Sequence, residues 1–277
     1  MNVRVIGLWH MGTVVSACLA SVGHDVVGLD HDAGLIGRLL EGRPPVYEPG
    51  LDTLLREGLS TGRLAFTSNE NEALDGAEVV WITFDTPVDE DDHADVKYVE
   101  DRVTRIFPQI PNGGLVLISS QVPVGTTRHL EERYQSEYPE NRVSFVYAPE
   151  NLRLGNAIAS FKRPDRVVIG LRTQEDRSRI TSLFRPFTDR IEWMSVESAE
   201  FGESEAERLP RGHGAGVFVH SSRETDGIGK TQPERVDPQF GRCEERGERV
   251  AEQFAPGDEA QRGQCGIVNR LGIPLKE

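Results

Sequence analysis

Six residues near the N-terminus, Gly7-Leu8-Trp9-His10-Met11-Gly12, lie between an apolar run and an amphipathic stretch. Glycines placed this way serve a chemistry of backbone donors. The first permits a tight turn. The last lets a helix begin hard against a strand, so that its N-terminal N–H groups and dipole face an anion. Gly7, Trp9, His10, Met11 and Gly12 are therefore the candidate loop for a dinucleotide diphosphate. The fingerprint G-x-G-x-x-G would have a further glycine at position 9, where the backbone approaches the pyrophosphate; this chain has Trp9. Asp30 closes the next apolar run, 18 residues after Gly12. An acid there hydrogen-bonds the adenosine ribose and repels a 2′-phosphate, which selects NAD over NADP. On these residues alone another reading stays open, with Gly7 and Gly12 as turn glycines and Asp30 as a surface acid.

Such a loop needs a βαβ frame, and the pattern supplies one. Strands are predicted at Asn2–Leu8, Asp25–Asp30, Arg63–Thr67, Ala77–Thr83, Gly114–Ser120, Arg142–Tyr147 and Arg166–Gly170. Val79-Val80-Trp81-Ile82 and Leu115-Val116-Leu117-Ile118 are continuous apolar runs, as expected of strands buried on both faces of a parallel sheet. Helical periodicity falls between them at Met11–Val22, Ala33–Glu41, Val96–Phe107, Thr127–Tyr138 and Gln174–Phe184. The predicted class is α/β: a doubly wound, mostly parallel, Rossmann-like sheet over residues 1–200. Its ligands belong at the carboxyl ends of the strands.

The bulk numbers exclude several functions. A net charge of −14 over 277 residues argues against a nucleic-acid partner. No apolar run is long enough for a membrane span, and the chain enters a strand at once instead of a signal peptide. A cytoplasmic protein is expected. Cys18, Cys243 and Cys265 have neither metal nor disulfide spacing; Cys18, on an apolar helix face, is expected in the core. Asp89-Glu90-Asp91-Asp92 reads as a solvated acidic loop, because no calcium-ligand spacing accompanies it. No metal is expected.

Further stretches resemble the UDP-glucose/GDP-mannose dehydrogenase family, NAD-dependent nucleotide-sugar 6-dehydrogenases. They are RPPVYEPGLDTLL (43–55), TFDTPVDEDDHADV (83–96), SSQVPVGTT (119–127), YAPENLRLGNAI (147–158), RPDRVVIG (163–170) and WMSVESAE (193–200). The resemblance spans essentially all of residues 1–200. It implies two successive oxidations of a primary alcohol to a carboxylate with two NAD, through a thiohemiacetal and a thioester on a cysteine. It implies that Gly7, Gly12 and Asp30 hold the adenosine half of NAD. Thr86 would contact the cofactor, and Gln121 and Val122 would lie beside the nicotinamide. Many relatives have Thr at the position of Gln121. Glu150 matches the active-site glutamate expected to position or activate the hydrolytic water. Asn151, Leu152 and Arg153 would touch the nucleotide-sugar, largely through the backbone. Pro149-Glu150 and Thr86-Pro87 also read as plain turns, and Arg153 as a surface cation. The Tyr47-Glu48-Pro49-Gly50 stretch reads as a structural loop.

The resemblance stops near Glu200. The family implies a long central helix there, with a catalytic Lys, an Asn-Ala-Phe-Leu-Ala run and the dimer contact. A second domain with a Gly-rich loop holding the nucleophilic Cys should follow. Residues 201–277 instead become rich in Gly, Arg, Glu and Gln, and Cys243 and Cys265 lack an activated setting. Codons can be chosen for Glu207 to His213 that, read one base later, give Asn-Ala-Phe-Leu-Ala-Ala-Thr. A frameshift near residue 201 is therefore expected, leaving an irregular or disordered, unselected tail. The expected product binds NAD but is catalytically incomplete, and the family's homodimer is doubtful without the central helix. Two other readings compete: a non-enzymatic NAD-binding module, and a relative of the 6-phosphogluconate or 3-hydroxyacid dehydrogenases.

Overall fold

The computed structural model describes residues 1–88, 94–149 and 152–208. Eight strands form one sheet: β1 (Asn2–Ile6), β2 (Asp25–Leu29), β3 (Leu64–Thr67), β4 (Val79–Ile82), β5 (Leu115–Ile118), β6 (Ser144–Tyr147), β7 (Val167–Gly170) and β8 (Ile191–Met194). Their order is β3-β2-β1-β4-β5-β6-β7-β8. All neighbours are parallel except β6 and β7, which pair antiparallel through Tyr147 and Gly170. The order reverses between β1 and β4. That is the crevice where ligands of open α/β sheets bind.

Alternation along the strands explains why the sheet is covered on both sides. Val79, Trp81, Leu115 and Leu117 enter one core; Val80, Ile82, Val116 and Ile118 enter the other. Successive side chains point to opposite faces, so a run of four apolar residues serves both. The first core takes in α1 (His10–Ser21), α2 (Ala33–Leu40), α3 (Leu51–Ser60), α7 (Ala157–Lys162) and α8 (Arg177–Phe184). The second takes in α4 (Glu70–Leu74), α5 (Val96–Arg105), α6 (Thr126–Glu137) and α9 (Val196–Arg208). Cys18 is fully buried in the first core, as its apolar helix face predicts.

Three differences from the sequence pattern have clear causes. The first strand stops at Ile6, because Gly7 adopts φ 95° and turns the chain out of the sheet. β8 is an additional strand at the far edge; its pattern Ile191-Glu192-Trp193-Met194 is half-buried and lacks a continuous apolar run. Helices α3, α4 and α7 occupy stretches where the sequence pattern predicts no helix. Asn69 caps α4 by accepting from Asn71 and Glu72 N–H, but five residues are too few to show a period. α9 also runs through residue 200, so no element boundary falls there. Asp89 to Asp92, Glu150, Asn151, Cys243, Cys265 and residues 209–277 lie outside the described residues. Among the described residues no helix is long and apolar enough to cross a membrane.

α9 lies directly on β7. A Cβ on Gly170 would sit 2.8 Å from Val196 Cα and 3.0 Å from the Ser195 carbonyl oxygen, both backbone atoms. Gly37, exposed on α2, has nothing within 4 Å of such a Cβ. We expect Gly170→Ala to lower stability by about 1–3 kcal/mol through overpacking. Gly37→Ala should raise it by about 0.5–1 kcal/mol through helix propensity and a less flexible unfolded chain. Urea midpoints at constant slope test both signs.

Candidate functional site

At the carboxyl end of β1, Gly7 N–H donates to Leu29 O (3.0 Å) and Gly7 O accepts from Thr83 Oγ1 (2.7 Å). The turn is thereby tied to β2 on one side and to the end of β4 on the other. Helix α1 starts immediately against it: a Cβ on Gly12 would lie 1.9 Å from Gly7 O and 2.6 Å from Thr83 Oγ1. Trp9 is the N-cap residue and offers no side-chain cap; no acid occupies the first turn. The first-turn N–H groups of this 12-residue helix are thus left without a side-chain acceptor at the strand ends, where they and the dipole favour an anion. Trp9 has φ −68°, comfortable for any L-residue. Its turn conformation therefore has no need of glycine, and its indole is 45% exposed.

Asp30 stands one strand over. Its Oδ2 accepts from Leu8 N–H (2.9 Å) and its Oδ1 from Asp32 N–H (3.0 Å). Each oxygen keeps a further lone pair, so the carboxylate is oriented in advance and can still accept from a diol. On the other side of β1, Thr86 Oγ1 donates to Gln121 O (2.5 Å), joining the loops that follow β4 and β5. Gln121 is exposed and Val122 is buried. Gly7, Trp9, His10, Met11, Gly12, Asp30, Thr86 and Gln121 all lie at the carboxyl edge of the sheet, as their positions after parallel strands require. Leu152 packs against the first core and Arg153 is exposed.

Two buried acids hold this edge, and sequence reasoning assigned them no such role. Glu48 is 3% exposed. Its Oε1 accepts from Ala157 N–H (2.8 Å); its Oε2 accepts from Gly155 N–H (2.7 Å) and lies 3.2 Å from His10 Nε2. One carboxylate therefore joins the start of α1 to the turn that follows residues 150–153. Glu200, fully buried on α9, accepts from Gly125 N–H (2.6 Å) and Thr127 N–H (2.9 Å) and so caps α6. Thr86 holds the loop after β5 at one end and Glu200 at the other. Neither acid had a local signal: their partners lie 107, 109, 75 and 73 residues away. Thr83 gave only a strand-end residue. In the same loop as Thr86, the Asp85 carboxyl is raised above its ordinary range by desolvation, opposed by His10. Asp85 is nonetheless exposed at the surface, so the direction carries no stability argument.

Residues 1–188 match the model of the UDP-glucose/GDP-mannose dehydrogenase family, NAD binding domain. The chain belongs to this family. A UDP-glucose 6-dehydrogenase of Rhizobium meliloti is 40% identical over 189 residues, covering 67% of this chain and 43% of the relative. One from Pseudomonas aeruginosa is 36% identical over 210 residues, 73% of this chain and 46% of the relative. Among solved structures, a UDP-glucose dehydrogenase from Pyrobaculum islandicum has a TM-score of 0.69 at 33% identity, over 74% of this chain and 48% of that one. The chain thus spans under half the length of these dehydrogenases. The cofactor of the family's domain is NAD, and the geometry fits it: a Gly7–Gly12 cradle that a single Cβ would fill, an uncapped helix start above it, and an oriented acid beside it.

Because Glu48 satisfies the buried Ala157 N–H and the part-buried Gly155 N–H and meets His10, Glu48→Ala is expected to cost about 2–4 kcal/mol. Glu48→Gln should recover only part of this, because an amide presents one acceptor oxygen and a clashing NH2. Chemical denaturation of the three proteins checks the order.

Proposed function

We propose that this chain is the NAD-holding half of a nucleotide-sugar 6-dehydrogenase and does not complete the reaction by itself. The observation that carries the first part is the uncapped start of α1 seated on Gly7, in the crevice where the strand order reverses, with Asp30 beside it. In this reading the backbone of Gly7, Trp9, His10, Met11 and Gly12 receives the cofactor diphosphate. Asp30 accepts from the adenosine ribose. Thr86, Gln121 and Val122 border the nicotinamide. NAD, when bound, supplies a hydride acceptor. Glu150 positions the water that would release the product acid, and Asn151, Leu152 and Arg153 face the sugar nucleotide. The substrate class is a UDP-sugar or GDP-mannose type carrying a primary alcohol at C6, and the intact enzyme is a homodimer.

The second part rests on the sequence after residue 200. Cys265, in Gly263-Gln264-Cys265-Gly266, has the wrong neighbours and no Lys-Asp after it, Cys243 has no activated setting, and the Lys and Asn of the family pattern have no counterpart. A frameshift near residue 201 accounts for both.

Gly12→Val forces a side chain into the Gly7 carbonyl and should abolish NAD binding in a calorimetric titration; a variant that binds like the parent sinks the cofactor assignment. Purified chain mixed with NAD and UDP-glucose should give no NADH absorbance, and a steady rise would overturn the incompleteness. Sequencing the coding DNA across residues 195–215 should reveal an Asn-Ala-Phe-Leu-Ala run in the next frame. If no such frame exists, the tail is genuine.

A further inference from the structure

Beside Asp30 lies a charge arrangement that the cofactor assignment does not use. His31, next in the chain, turns its Nε2 to Glu70 Oε1 at 2.7 Å. The same oxygen forms an ion pair with Arg105, whose Nε lies 2.6 Å away. Glu70 is the first residue of α4, beyond β3; Arg105 is the last of α5. One carboxylate, its side chain 15% exposed, thus engages two bases that come from different elements. Both bases keep considerable exposure, 29% for His31 and 60% for Arg105. Meanwhile the two oxygens of Asp30 are fixed by Leu8 and Asp32 N–H, so its charge cannot swing away from an incoming anion. Asp32 is occupied in capping α2 through Gly34 and Leu35 N–H.

A phosphate on the adenosine 2′-oxygen would arrive at Asp30 with its own negative charge. It would be tolerated only if cations came to meet it, as an Arg does in NADP-binding relatives of this fold. His31 is about 3.8 Å along the backbone from Asp30, from Cα to Cα. Arg105 is the strong base that shares its partner Glu70. With Arg105 Nε paired to Glu70 and His31 Nε2 at hydrogen-bond distance from the same oxygen, that carboxylate offsets the positive charge and sets the direction of both side chains, leaving less of their attraction for a phosphate. We propose that Glu70 is a second determinant of cofactor choice: by holding His31 and Arg105 it denies both to a 2′-phosphate, so that NADP is refused by missing attraction as well as by the repulsion of Asp30. This rests on the reading that Asp30 receives the adenosine ribose.

The test is a set of dissociation constants for NAD and NADP, measured by calorimetry on the full chain and on Asp30→Ser, Glu70→Gln and the double variant, with thermal melts to confirm folding. Asp30→Ser should raise the NADP-to-NAD affinity ratio. Adding Glu70→Gln should raise it by about a further tenfold, the size of one charge-assisted contact. Arg105→Gln placed in the double variant should remove most of that gain, and added salt should shrink it. A Glu70→Gln increment below about twofold in the Asp30→Ser background, with that background itself shifted, overturns the role of Glu70 alone. An unshifted ratio in Asp30→Ser instead removes the ribose assignment and the proposal with it. Should the double variant melt early, Glu70→Ala in the same background is read in its place with the same thresholds.

Discussion

Everything at the carboxyl edge of this sheet depends on how closely α1 approaches the turn after β1. The Gly7 carbonyl oxygen and the Gly12 α-carbon leave no room for a methyl group between them. Thr83 locks that carbonyl from β4. The constraint is steric, so it sets position sharply: the helix can start in one place only. Asp30 then reaches the loop through Leu8 N–H, and His10 falls within reach of Glu48. A helix start that drifted by one residue would lose all three relations together. Trp9 is compatible with this arrangement because its φ of −68° needs no glycine and its side chain is partly exposed instead of wedged between Gly7 and Gly12.

Buried carboxylates do the long-range work. Glu48 and Glu200 each satisfy N–H groups at helix starts, α7 and α6 respectively. Burying a charge is costly unless its hydrogen bonds are made, and here the orphan donors of helix termini make them. Loops that would otherwise be independent are thereby referred to one frame: Glu48 links the start of α1 to the chain after β6, and Glu200 links the loop after β5 to α9. Neither acid has to touch a ligand to matter to a site built from loop ends.

How much of this could be read from sequence follows from the range of each interaction. Val79–Ile82 and Leu115–Ile118 declare themselves because four consecutive apolar residues serve two cores. Gly7, Gly12 and Asp30 are legible because their jobs are local to one βαβ unit. Glu192 breaks the apolar pattern of β8, and the brevity of α4 and α7 hides any period. Glu48, Thr83 and Glu200 were illegible for another reason. An acid or hydroxyl whose partners are backbone N–H or C=O groups dozens of residues away leaves no pattern in composition or spacing. The residues that touch a ligand in this fold sit on recognisable loops, while those that hold the loops do not.

The antiparallel junction of β6 and β7 rests on the single pair Tyr147 and Gly170, so the backbone ladder that unites six strands nearly lapses before the last two. What carries the load across that seam is side-chain carpentry. Arg172, just past β7, reaches Glu131 on α6 and Glu197 on α9. Arg179 on α8 donates to the carbonyls of Glu78 and Gly113 ahead of β4 and β5. α9 lies along β7 and plugs Glu200 into α6, acting as a splint over the joint. The β7–β8 pair is thus a panel bolted to the sheet at its rims instead of being laced to it by a backbone ladder.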